Sequence, residues 1–152
     1  MTAHLVPRIA CIEIPVSNLK ASVEWYTRVL GLSLMGELQE SWKEAMLHFP
    51  GNPTGVPAVY LVQTGSPDRL KFYNTNYGYT QSIIDFYTAD LAGFHRHLTE
   101  HGVATNREKL ELKPGETSGF GFMDPDGNSL GATNAVLTQP KKTKGKANAA
   151  VV

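Results

Sequence analysis

Ile9-Ala-Cys-Ile-Glu-Ile-Pro-Val-Ser-Asn-Leu-Lys-Ala-Ser-Val-Glu-Trp-Tyr-Thr-Arg-Val-Leu-Gly-Leu32 reads as one strand, one turn and one helix. Ile12, Ile14 and Val16 alternate with Cys11, Glu13 and Pro15, the period of a strand with one face in a core. Ser17 and Asn18 are good helix caps. Leu19, Val23, Tyr26 and Leu30 then recur at helical spacing before Gly31, which suits a helix end.

The chain repeats this unit. Ile84-Asp-Phe-Tyr-Thr-Ala-Asp-Leu91 matches Ile12-Glu-Ile-Pro-Val-Ser-Asn-Leu19 in its apolar, acidic and cap-type positions at an offset of 72 residues. Leu91, Phe94 and Leu98 then mark a second helix that ends near Gly102. Two copies are too few for a solenoid and point to one pseudo-symmetric domain. Further strands are predicted at 32–36, 45–49, 58–63, 103–106, around Leu110 and Leu112, and at 119–123 and 129–133. Asp124-Pro-Asp-Gly-Asn128 forms the turn between the last two. Residues 69–81, rich in Phe and Tyr, read as the crossover between the halves.

At 152 residues, 41% hydrophobic and 18% charged, the sequence is that of a soluble globular domain, without a membrane-length apolar run or the form of a secretory signal. A cytoplasmic location follows by default. The single cysteine, Cys11, excludes an intramolecular disulfide and a multi-cysteine metal site. Net charge is formally zero, but Lys141, Lys142, Lys144 and Lys146 crowd the end of the chain. Removing those four from fourteen basic residues leaves ten against fourteen acidic ones, so the body is mildly acidic and ill suited to nucleic acid. The expected organisation is one domain over 1–138, with module one at 8–66 and module two at 80–137, followed by a basic flexible tail at 139–152.

Val16-Ser-Asn-Leu19, Trp25-Tyr26, Val29-Leu-Gly-Leu32 and Phe122-Met-Asp-Pro-Asp-Gly-Asn-Ser-Leu130 together resemble the vicinal oxygen chelate superfamily of glyoxalase I, bleomycin-resistance proteins and extradiol dioxygenases. The resemblance covers residues 8–137. It implies an α+β fold of two βαβββ modules with pseudo-twofold symmetry, cupped around a cavity, and a homodimer. Metal-dependent members hold a divalent cation with four side chains, and motif alignment places those positions at Cys11, Leu61, Ile83 and Gly131. Three of the four have no donor, so no metal cofactor is predicted at the usual site.

Glu13 and Asp85, related by the repeat, each lie two residues beyond a lost ligand position and point the same way along their strands. They read either as an acid/base pair or ligands of a shifted metal site, or as structural carboxylates holding the sheets. Trp42, His48, Gln63, Tyr87 and Phe122, with Cys11, Leu61, Ile83 and Gly131, complete the expected lining, and Tyr60 and Tyr77 are placed near it. His97 and His101, four apart, have a spacing that binds zinc, but no third ligand follows and a solvated helix face is the simpler reading. Two functions stay open. One is a binding protein whose metal-free cavity takes an aromatic or hydrophobic small molecule. The other is a lyase, isomerase or dioxygenase-like enzyme built on Glu13 and Asp85.

Overall fold

The computed structural model describes residues 5–52 and 56–137. The first alternation becomes strand β1 (Cys11–Val16), with Ile14 and Val16 buried and Cys11, Glu13 and Pro15 on the opposite face. Helix α1 (Leu19–Arg28) starts where the Asn18 side chain accepts from the Ala21 amide at 3.1 Å, and it buries Leu19, Val23 and Tyr26. Gly31 at φ +73° closes it, a conformation that costs other residues a Cβ clash. Strands β2 (Ser33–Leu34), β3 (Glu44–His48) and β4 (Ala58–Gln63) complete a sheet of order β1-β4-β3-β2, in which β1 runs parallel to β4.

The second module repeats the order. Strand β7 (Ile84–Tyr87) leads into helix α2 (Leu91–Glu100), capped by Asp90 onto the Gly93 amide at 2.9 Å. Strands β8 (Gly119–Met123) and β9 (Ser129–Thr133) give the order β7-β9-β8, again with the first strand parallel to the last. Thr105 bridges to Phe122 at the free edge of β8, so the strand predicted at 103–106 survives as one rung. No strand forms at Leu110 and Leu112. Pro114 brings no amide donor and Gly115 turns at φ +76°, so these leucines pack against the core from an irregular segment. The supposed crossover at 69–81 contains a hairpin, β5 (Phe72–Asn74) with β6 (Tyr79–Gln81), which pairs with neither sheet. The basic tail predicted at 139–152 lies outside the described residues.

The turn at 124–128 locks the modules together. Asp124, only 5% exposed, accepts from the Tyr26 hydroxyl at 2.8 Å, the Asn128 side chain at 2.7 Å, and the Asp126 and Asn128 amides at 2.9 Å each. Four donors on one buried carboxylate offset its desolvation. Asn128 also donates to the Pro15 carbonyl at 2.9 Å, and Asp126 accepts from the Ser17 amide at 3.0 Å while pairing with Arg69 at 3.6 Å. Burial, followed by the charge of Asp124, pushes the Tyr26 phenol far above its ordinary range, so it stays a proton donor. Buried residues of both modules form one hydrophobic cluster.

Candidate functional site

Each sheet has a face turned away from its helix, and the register fixes what stands on it. In the first module Glu13 lies opposite Tyr60, which lies opposite Met46; Pro15, Val62 and Glu44 form the next row. In the second, Asp85 lies opposite Gly131 and Gly121, and Tyr87 opposite Thr133 and Gly119. Glycines thus occupy the places of Tyr60, Met46 and Glu44. An open groove of about 1190 Å³ reaches Gly119 and Gly121 on this surface and is walled by Trp25, Tyr79, Asp85, Tyr87 and Asn106, with His101 at the end of α2.

The glycines make way for neighbouring atoms: at Gly119 an added methyl would lie 2.9 Å from the Ala132 carbonyl. A methyl group on Gly131 would collide with Asp85 Oδ1 and lie 2.9 Å from Ser82 Oγ, so the Asp85 carboxylate rests across the backbone of β9. Ser82 donates to that same oxygen at 3.3 Å. At Gly121 an added methyl would meet the Asn106 amide nitrogen at 3.3 Å, and Asn106 Oδ1 accepts from the Gly121 amide at 2.7 Å. Asn106 is therefore held as part of the wall.

The equivalent face of the first module is filled. Tyr60 donates a short hydrogen bond to Glu44, and that bond, then partial burial and the charges of Glu44 and Glu13, push its phenol up to about 12. His48 shares the face with Met46 and Tyr60, and its Nδ1 is buried without a partner among the described residues. Cys11 is half-buried at the start of β1.

Several expected lining residues therefore lie elsewhere. Leu61 is fully buried, and it pairs with Ile14 and Ala45, which share the helix-facing side of the sheet. The residue that corresponds to Gly131 by register is Tyr60, since Glu13 pairs with Tyr60 as Asp85 pairs with Gly131; a one-residue shift along a strand exchanges its faces. Gln63 falls on the same side as Leu61 and accepts from the Leu19 amide at 2.8 Å, at the start of α1. Phe122 borders the groove, but its ring packs edge-on against Phe94 with centroids 5.8 Å apart. Glu13, Cys11, His48 and the exposed Trp42 and Ile83 stand outside the groove, which includes Asp85 and Tyr87. Gly131 is buried beneath Asp85. Tyr77 stacks on Tyr79 at 5.9 Å.

The helix histidines do not form a solvated face. His95 is buried and bonded to the Arg107 carbonyl at 2.6 Å, and His97 bonds to the Val29 carbonyl at 2.7 Å, tying α2 to the end of α1. His101 alone of the three is exposed. Trp25, Tyr79, Ser82 and Asn106 were not anticipated in the wall. The sequence signal that could have found this face is Gly119, Gly121 and Gly131, spaced so that all three fall on one side of adjacent strands.

The family's divalent ion does not fit these residues. By register the four ligand positions are Cys11, Tyr60, Ile83 and Gly131, and neither Ile83 nor Gly131 has a side-chain donor. Among the described residues no group of three or more His, Cys, Asp or Glu could hold a metal ion.

Residues 8–131 match the Glyoxalase/Bleomycin resistance protein/Dioxygenase superfamily, and the chain belongs to it. Solved structures share the fold. A superfamily member from Sphaerobacter thermophilus is 22% identical with a TM-score of 0.60, over 86% of this chain and 98% of its own. The fosfomycin resistance protein FosX from Listeria monocytogenes is 15% identical with a TM-score of 0.61, over 88% and 94%. An antibiotic binding protein, TnmS3, from a Streptomyces species is 19% identical with a TM-score of 0.56, over 86% and 97%. No curated protein matches the sequence. No helix among the described residues is long and apolar enough to cross a membrane.

Proposed function

We propose that the chain is a small-molecule binding protein that holds an aromatic or hydrophobic ligand, without a divalent metal, in the groove over the second sheet. The observation that carries this reading is the open groove of about 1190 Å³ along β8, lined at Gly119 and Gly121 by backbone and bordered by Tyr79, Tyr87 and Trp25. Aromatic walls supply burial and stacking with little loss of side-chain freedom. An antibiotic binding protein among the structural relatives agrees with this reading. Paired acid/base chemistry has less support, because Asp85 lines the groove and Glu13 does not. A homodimer and a cytoplasmic location belong to the same proposal, and analytical ultracentrifugation tests the first.

Thermal melts with a panel of planar aromatic compounds test the binding. At about 100 times its Kd a ligand adds about 2.7 kcal/mol of stability, a shift of several degrees. Tyr87→Ala, which removes an exposed aromatic side chain from the groove wall, should keep the unliganded melt and lose most of the shift. A panel that leaves the wild-type melt unchanged, or a variant that responds as the wild type does, would refute the reading.

A further inference from the structure

One carboxylate in the groove is free to meet a ligand. Among the described residues that line it there is no lysine and no arginine. Its two carboxylates are Asp85 and Asp124. Asp124 is saturated by four donors from Tyr26, Asp126 and Asn128 and is buried in the lock between the modules. Asp85 is exposed and accepts one hydrogen bond, from Ser82, which leaves most of its acceptor capacity facing the groove. The wall also includes His101 and Gly102, where α2 ends, and a helix C-terminus adds partial negative charge. The His101 ring nitrogen Nδ1 lies 2.8 Å from the His97 carbonyl rather than pairing with Asp85.

The carboxylate is also aimed. Because Gly131 has no side chain, Asp85 lies across β9 and not upright from β7, while Tyr87, two residues further along β7, and Tyr79 on β6 border the same space. A carboxylate beside aromatic rings attracts a positively charged group through both its charge and the ring faces. The cation held against the wall, Arg107, donates to Ser118 Oγ at 2.6 Å and to the Gly119 carbonyl at 3.4 Å, away from any bond to Asp85.

We infer that the ligand is an aromatic cation, a planar ring system with a protonated nitrogen, and that Asp85 is its counter-ion. This deepens the proposed binding function and rests on it.

Three acridines of one shape separate the two statements: an aminoacridine that is cationic near neutral pH, the uncharged parent acridine, and an acridine carboxylate. Each is titrated into the full chain at low ionic strength and followed by ring fluorescence. The cation should bind best and the anion worst. Asp85→Asn, an isosteric change at an exposed position, should weaken the cation about tenfold and leave the neutral ring within about twofold. Gly131→Ala, which evicts the carboxylate while retaining its charge, should weaken the cation in the same direction. Equal binding of cation and neutral ring, or equal losses for both in Asp85→Asn, would overturn the assignment of ligand class and leave the groove as a binding site. If no acridine binds, the binding function and the cation assignment fall together.

Discussion

Two sheets that share three strands in the same order and register present opposite surfaces on their open faces. The first carries Glu44, Met46 and Tyr60, and the second has Gly119, Gly121 and Gly131 at the corresponding places. On the helix-facing sides the two are alike: Ile14, Leu47 and Leu61 in one, and Ile84, Phe120 and Leu130 in the other, are all buried. The fold is thus maintained by one face of each strand, which leaves the other free to diverge into a filled surface in one copy and a groove in the other.

The strongest way to break the pair is at its lock. Asp124→Ala removes the acceptor of four hydrogen bonds and leaves the Tyr26 hydroxyl and the Asn128 amide buried without it. It should cost about 3 to 5 kcal/mol, read as a lower urea midpoint. A loss below about 1 kcal/mol would mean that the modules hold together without this contact. The same lock makes stability fall as pH rises above about 10, where unfolded tyrosine ionises and the raised folded-state Tyr26 does not.

The division between faces is sharpened by neighbouring residues. Leu61→Ala should cost about 3 kcal/mol through the cavity it opens under α1, while Tyr60→Ala, one residue earlier, should cost about 1 kcal/mol. Comparable losses at both positions would contradict a one-sided core. The smallest effect concerns the filled face itself. Tyr60 should ionise at about pH 12, seen as tyrosinate absorbance, and Glu44→Gln should bring that step down toward the ordinary value near 10. An unchanged step would remove Glu44 as its cause.

The helix-facing half of this design was legible in the sequence because apolar periodicity encodes it. Ile12, Ile14 and Val16, the repeat at Ile84, and the turn at 124–128 all lie where alternation and turn chemistry put them. The open face was harder to read. Leu61 and Tyr60 are adjacent and both compatible with a strand, so the motif alignment had no means of choosing the face, whereas the pairing of Glu13 with Tyr60 does. The β5–β6 hairpin was missed because Phe72, Tyr73, Tyr77 and Tyr79 are all at least 45% exposed, and aromatic composition alone suggests burial. His95 and His97 bond to carbonyls of Arg107 and Val29, contacts that sequence spacing does not encode.

The lock at 124–128 also sets the order in which the protein is completed during synthesis. Tyr26 and Asp124 are 98 residues apart, and Pro15 and Asn128 are 113 apart. Strands β1 to β4 and helix α1 leave the ribosome with the Tyr26 hydroxyl and the Pro15 carbonyl still without their native partners. The first module therefore waits, in an unfinished state, for a five-residue turn made near the end of the domain, and any pause in translation before residue 128 prolongs that exposure.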